Sequence, residues 1–391
     1  MNKSLISVDY GVRYIINHLS RKHYYMGSIL KEESDYNIIV GERSNGKTYS
    51  AKVFGVVRAL HSQGALAIIR RYDLDFKNNC DNMFTDIYNV IEEESGGKWN
   101  SVYYYGKKWY FSKVENGKRI ETDIEPFAYA FSLTGEEHVK SVSYPTITTI
   151  LFDEFITRNG YLDEELVKYT SIISTIIRKE DSRFGVKIKI FMCGNTINKY
   201  CPYFREMGLK HVVNQKQGTI DTYSVNTDEG DILKISVEYC LSISDKSSKA
   251  SNKFFAFDNP KLKMISSGKW EVAIYPHLPM EYEKENIKYT YYINHDDNIL
   301  QCEIINVNNC LFTFVHRKTT PIKYDLALKE GKMIYQEDYS PYPNVRRKIT
   351  KPTNEIEKKI LSFYVRDKIF YQDNEIGEIM RNYLKWCGAT S

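Results

Sequence analysis

Residues 41–48, Gly-Glu-Arg-Ser-Asn-Gly-Lys-Thr, constrain this chain more than any other stretch. They match G-x-x-x-x-G-K-[ST] at every fixed position. That pattern needs a strand before it and a helix after it. Tyr36, Asn37, Ile38, Ile39 and Val40 read as a short buried strand, and residues 48–63 read as a helix. Gly41 and Gly46 let the backbone turn tightly, so that its N–H groups point inward at phosphate oxygens. The helix presents its positive end to the same anion. Lys47 adds a mobile charge for β- and γ-phosphates, and Thr48 offers a hydroxyl to Mg²⁺. The phosphate-binding set is therefore Gly41, Ser44, Asn45, Gly46, Lys47, Thr48 and Tyr49.

The other half of a nucleotide-hydrolysing site lies about a hundred residues later by sequence, in line with the expected context of this motif. Asp153 and Glu154 directly follow the apolar run Ile150-Leu151-Phe152. A strand end delivers Asp153 to a Mg²⁺ shell, and Glu154 can polarise the attacking water. A Glu here argues for an ATP-hydrolysing motor rather than a GTP switch. The guanine-reading pattern N-K-x-D is missing, since Asn198-Lys199 continues as Tyr200-Cys201. Asn195 follows a fourth buried strand, where it either senses the γ-phosphate or closes an ordinary turn. Arg178 ends the helix after the acidic pair. It either compensates the helix dipole or reaches a neighbouring subunit's phosphate as an arginine finger, and Arg183 is its rival for that role. Arg70 and Arg71 leave the second strand, either to bind phosphate or DNA or as a solvated strand end.

The first half of the chain alternates strand-like and helix-like segments, the pattern of a parallel sheet covered by helices. Residues 65–69, 148–152 and 186–192 read as further buried strands, 83–94 and 162–179 as helices, and 99–132 as a hairpin-type insertion. Residues 214–231 and 242–252 are polar, which places a linker between domains 1–213 and 254–391, over residues 214–253. Beyond it, strands are expected at 270–275, 289–294, 299–306 and 310–316, and helices at 355–365 and 374–386. The basic, proline-punctuated stretch 341–352 reads as a loop. With 391 residues, two domains of ordinary size fit. Apolar residues make up 42% and charged residues 27%, as expected of a soluble globular protein. The start has no secretory signal and no stretch approaches the ~20 apolar residues of a membrane span. Basic residues number 54 against 50 acidic, which permits a nucleic-acid surface without arguing for one. The seven scattered cysteines form no C-x-x-C pair and read as free thiols in a reducing cytosol.

Taken together, residues 41–49, the run Ile69-Arg70-Arg71-Tyr72, Lys140-Ser141 with Tyr144-Pro145, and Thr149-Ile150-Leu151-Phe152-Asp153-Glu154-Phe155-Ile156 resemble the DNA-packaging ATPases (encapsidation proteins) of small podovirus-type bacteriophages. The resemblance covers residues ~30 to ~205 well, by the spacing of those motifs, and weakens beyond. It implies an α/β, additional-strand P-loop ATPase fold, a mostly parallel sheet with flanking helices, followed by a smaller α+β, RNase H-like C-terminal domain. It implies hydrolysis of Mg²⁺-ATP by a homomeric, pentameric ring docked on the portal of an empty prohead, driving double-stranded DNA inward, in some members seated on a packaging RNA. The expected location is the host cytoplasm, transiently at the portal vertex, with no membrane. Carried over by position, Lys47 and Thr48 hold phosphate and Mg²⁺, Asp153 takes the metal, Glu154 is the catalytic base, and Arg178 falls at the trans-acting finger. The C-terminal domain of the family resembles a nuclease that has lost its carboxylates. Here Asp258, Asp296, Asp297 and Glu303 are available, but Asp296-Asp297-Asn298 reads as a hairpin turn, which favours no nuclease activity. The competing readings are a terminase large subunit with a working metal-dependent nuclease and a non-packaging DNA-dependent ATPase or helicase.

Overall fold

The computed structural model describes residues 8–19, 24–77, 80–138, 144–157, 161–162, 164–177, 182–199, 201–228, 230–241, 269–270, 275–296 and 298–388. The chain divides into two units, Met1–Glu271 and Val272–Ser391.

In the first unit, α1 (Tyr10–His18) and α2 (Gly27–Leu30) precede β1 (Tyr36–Gly41), α3 (Lys47–Leu60) and β2 (Ala65–Arg70). Next come α4 (Tyr88–Glu94), β3 (Ser101–Tyr105), β4 (Lys108–Glu115), β5 (Lys118–Thr122), β6 (Ala128–Ser132) and β7 (Ile147–Asp153). The unit continues with α5 (Glu165–Ile177), β8 (Ser182–Arg183), β9 (Val186–Lys187), β10 (Lys189–Asn195), α6 (Pro202–Glu206), β11 (Thr219–Asn226) and β12 (Ile232–Tyr239). The main sheet has the order β11-β12-β1-β10-β7-β2-β6-β4-β3, with β5 on β4. Its central strands, from β12 to β6, run parallel. Such strands are covered on both faces and read as nearly continuous apolar runs. Every residue of β1 and β7 is buried. The two-residue period of the strand sends Ile39 into one core with Phe54 and Val57 of α3. Ile38 and Val40 join the other, with Tyr169, Ile172 and Ile176 of α5. β10 lies between β1 and β7, so the additional-strand fold expected from the resemblance is the one observed.

Three local expectations shift. The stretch 214–253, expected to be a linker, contains the antiparallel pair β11/β12, which extends the first sheet beside β1. The boundaries 1–213 and 254–391 move accordingly, because the first unit runs to Glu271. β11 is an edge strand with mostly exposed side chains, so its polar sequence looks like a loop. The expected helix at 83–94 is a 3₁₀ stretch, Cys80–Ile87, with regular helix only in α4. The strand expected at 186–192 begins at Lys189, because Val186–Lys187 pair back on Ser182–Arg183.

The second unit contains β13 (Ile287–His295), β14 (Asn298–Val307), β15 (Cys310–Arg317), α7 (Tyr324–Lys329), β16 (Ile334–Gln336), β17 (Val345–Arg346), α8 (Glu355–Val365), β18 (Ile369–Tyr371) and α9 (Asn374–Trp386). β13, β14 and β15 form an antiparallel meander. β16 runs parallel on β13, β17 on β16 and β18 on β15. α8 and α9 begin where expected because Asn354 and Asp373 cap them, accepting from the N–H groups of Glu357 and Ile376. The expected loop at 341–352 carries only the two residues of β17 as regular structure. Of the strand expected at 270–275, residues 271–274 lie outside the described residues. All seven cysteines are free; Cys310 is exposed and the others are buried. Among the described residues no helix is long and apolar enough to cross a membrane.

Candidate nucleotide site

Four neighbouring parallel strands end at the same edge of the first sheet. Their last residues are Gly41 of β1, Asn195 of β10, Asp153 of β7 and Arg70 of β2. Crevices outside the carboxyl ends of parallel strands are where open α/β sheets bind ligands. Here the crevice is a cleft of about 440 Å³, whose lining includes Ser44, Lys47, Thr48, Asp153, Glu154 and Asn195. Asn45, Gly46 and Tyr49 line it as well. The residues expected from the two motifs are thus brought together, with Gly41 beneath them at the strand end.

The loop geometry explains its glycines. A Cβ on Gly41 would come 2.9 Å from the Cβ of Cys240 and 3.0 Å from Nδ2 of Asn45. Gly46 caps α3 with φ +96°, a left-handed backbone that L-residues with side chains rarely adopt. The Lys47 ammonium is buried and donates to the carbonyl of Glu42 at 2.6 Å, to Oδ1 of Asn45 at 3.0 Å and to Oδ1 of Asn195 at 3.4 Å. Burial lowers its pKa, while Cys240, Cys193, Asp153 and Glu42 pull the other way. Asn195, whose place in the sequence fits an ordinary turn equally well, faces the same lysine.

Thr48 Oγ1 donates to Oδ1 of Asp153 at 2.7 Å. The side chain of Arg70 holds both acids, reaching Oδ2 of Asp153 at 2.6 Å and Oε2 of Glu154 at 2.8 Å. Glu154 has φ +59°, so the chain turns sharply as it leaves β7. Arg71 fixes that turn from below. Its guanidinium donates to the carbonyl of Phe155 at 2.7 Å and of Glu154 at 3.3 Å, and pairs with the buried Glu165 at 2.8 Å. Glu165 also accepts from the hydroxyl of Tyr203 at 2.9 Å. Neither arginine is a solvated strand end, and sequence did not assign these roles because the partners lie on other strands and helices.

Two further contributors carry no sequence signal. The backbone N–H of Tyr24 donates to the carbonyl of Asn45 at 2.8 Å, and its hydroxyl donates to Glu238 on β12 at 2.7 Å. Burial pushes the Glu238 carboxyl up to about 7, against the opposing pull of that hydroxyl. Cys193 also lines the cleft, and burial pushes its thiol far above the ordinary range.

Arg178 lies outside the described residues. Its rival Arg183 is buried and donates to the carbonyls of Tyr144 at 2.8 Å and Ile176 at 2.9 Å, which ties it to the interior of its own subunit. Asp258, which falls within the bounds of the first unit, and Asp297 lie outside the described residues, and Asp296 sits in the β13–β14 turn of the second unit with φ +52°. Glu303 points inward, accepting from the hydroxyl of Tyr282 at 2.7 Å and from Nε2 of Gln301 at 2.5 Å.

The chain is similar to the DNA packaging protein of Bacillus phage phi29, with 23% identity over 201 residues, 51% of this chain and 54% of that protein. It is similar to the DNA packaging protein of Bacillus phage B103, with 25% identity over 183 residues, 46% of this chain and 50% of that protein. It thus spans about half the length of the curated relatives it matches. Among solved structures, the bacteriophage Phi-29 viral genome packaging motor assembly has a chain with TM-score 0.54 and 18% identity, covering 93% of this chain and 98% of that one. The Phi-28 gp11 DNA packaging motor gives TM-score 0.51 and 16% identity, covering 94% and 97%. At such identities the likeness shows a shared fold. The family model described as podovirus DNA encapsidation protein (Gp16) matches residues 20–233, more than half of the chain, and the chain belongs to that family.

Proposed function

We propose that this chain is the ATP-hydrolysing subunit of a viral DNA-packaging motor, which translocates double-stranded DNA into an empty prohead through its portal. The observation that carries this reading is the convergence of Lys47, Thr48, Asp153, Glu154 and Asn195 on one cleft at the strand ends. The loop N–H groups and the N-terminus of α3 bind the triphosphate, and Lys47 places its charge on it. The acceptors around Lys47 suit a protonated ammonium, which keeps the charge in place despite burial. Thr48 and Asp153 present two hard oxygens 2.7 Å apart, a donor set that fits Mg²⁺. The metal, when bound, supplies charge stabilisation at the phosphates. Glu154 accepts the proton of the attacking water, for which its carboxylate must leave Arg70. Asn195 orients the water or the γ-phosphate.

The ring, the portal, the cytoplasmic setting and, in some members, a packaging RNA come with the family resemblance. Within such a ring, Arg178 is the trans-acting finger, because Arg183 is spent on internal carbonyls. Mixing Arg178→Ala with Glu154→Gln subunits restores part of the turnover if the finger acts on a neighbour; folded mixtures without activity remove Arg178 from that role. The second unit is read as an inactive, RNase H-like domain, since the oxygens of Glu303 are engaged by its own neighbours. The test of the whole reading is the ATPase rate with and without duplex DNA and purified empty capsids. Stimulation by both supports a packaging motor. Strand separation points to a helicase, and metal-dependent cutting of plasmid points to a terminase with a working nuclease.

A further inference from the structure

The stretch 341–352 stands out in sequence for its positive charge, and the ATPase cleft gives it no role. In the second unit it lies between β16 and α8, and it is clamped to the end of α9. The N–H of Ile349 donates to the hydroxyl of Tyr383 at 3.2 Å, and that hydroxyl donates to the carbonyl of Arg347 at 3.1 Å. Thr350 Oγ1 donates to the carbonyl of Cys387 at 2.8 Å. Ile349 is fully buried beneath. The segment is therefore a fixed platform.

Its cations divide into two kinds. Arg346 turns inward to the buried Glu357, with Nε 3.2 Å from Oε1. Arg347 lies against Tyr339, its guanidinium carbon 4.4 Å from the ring centre, and 5.5 Å from the Trp386 ring. Lys348 places its ammonium 5.4 Å from the same indole. Arg347 donates to the carbonyl of Glu337 at 2.7 Å and to the hydroxyl of Tyr339 at 3.0 Å, both neutral acceptors. The carboxylate of Glu337 lies 2.5 Å from Nδ1 of His295. Among the described residues no carboxylate forms a salt bridge with Arg347, Lys348 or Lys351. Unneutralised cations held on aromatic faces lose little side-chain freedom when they meet an anion.

We propose that Arg347, Lys348 and Lys351 form a contact surface for the phosphate backbone of double-stranded DNA. The rings decide between duplex and single strand. Trp386 is packed between Tyr383, at 6.0 Å between ring centres, and His295, at 6.3 Å, with the cations on it as well. Tyr339 is 85% exposed but is a single ring with Arg347 against it. A track for unpaired bases needs successive open aromatic faces. What this surface offers is two cations held on rings, with the exposed Lys351 beside them on the same clamped segment, which suits phosphates and is blind to base sequence. The proposal rests on the packaging reading for its partner, but its test separates the two.

The experiment measures binding of the full chain to a fluorescent DNA duplex across a series of salt concentrations. Lys348→Gln/Lys351→Gln removes two phosphate contacts and leaves the backbone bonds of Arg347 in place. The slope of log affinity against log salt falls by about two, at roughly 0.9 per contact, and affinity drops for every duplex sequence. Lys329→Gln/Lys359→Gln makes the same change in net charge at exposed lysines elsewhere in the unit and leaves the slope unchanged. Melting curves exclude loss of fold, and Arg347→Gln provides a second, independent substitution. An unchanged slope in the Lys348/Lys351 variant overturns the proposal, as does a loss confined to an RNA duplex of equal length. A wild-type chain that binds no duplex at all removes the packaging reading itself.

Discussion

Each unit buries a carboxylate on a strand of its sheet: Asp153 in the first, 6% exposed, and Glu303 in the second, 5% exposed. Asp153 is the last residue of a parallel strand, beside the N-terminus of α3; its partner Thr48 also lines the cleft, and Arg70 holds its other oxygen. Glu303 lies within β14, and Tyr282, Gln301 and His316 take up its oxygens. Burial is the same, yet one group faces an anion-binding crevice and the other is satisfied inside the domain. The position along the strand, and the parallel direction of its neighbours, make the difference.

The largest effect expected from this contrast is in the first sheet. Lys47→Ala lowers ATP turnover by a factor of about a thousand or more, since it removes a fixed charge from the phosphates. Phosphate release checks it, and turnover near the wild-type level would erase the distinction between the sheets. Glu154→Gln lowers kcat by roughly 10²–10⁴ while a fluorescent nucleotide still binds. Loss of binding instead would give Glu154 a structural role. Arg71→Ala strands the buried Glu165 without its partner and lowers unfolding stability by about 3–5 kcal/mol, read from denaturant titration. A smaller cost would mean that the turn after β7 holds without it.

The smallest expected effect is a difference in sign with pH. The folded pKa of Glu238 is raised to about 7, so its stabilising contribution is full below the ordinary carboxylate range and is lost as pH climbs through 7. Glu238→Gln gains up to about 3 kcal/mol at pH 8 relative to wild type and little at pH 5. Glu303 runs the opposite way. Burial raises its pKa, but bonds from His316, Tyr282 and Gln301 outweigh that and hold it below the ordinary value. Its contribution is present above that value and fades on acidification. Equal slopes for Glu238→Gln and Glu303→Gln in thermal melts across pH would show that the two sites are not distinguished in this way.

The sequence made the cleft legible where one short pattern carries both chemistry and backbone geometry. Residues 41–48 and the Asp153-Glu154 pair needed only an apolar strand and a helix around them, and both are local. α8 and α9 were legible for the same reason, with a capping residue and an amphipathic period inside one window. Arg70 and Arg71 were ambiguous because their partners depend on β2 lying next to β7, a pairing between strands far apart in sequence. β11 was hidden because an edge strand in water lacks the apolar run of a central one. Tyr24 had no signal, since what it secures is a carbonyl of the phosphate loop.

The distribution of thiols gives the molecule a built-in clock. Cys310, exposed at the start of β15, meets a maleimide as soon as the reagent is added. Cys193, sealed in β10 under the phosphate loop with its proton held tightly, reacts only when that strand lifts away. Following the label at Cys193 alone against time would therefore report how often the floor of the cleft opens, with the surface thiol serving as the zero of the scale.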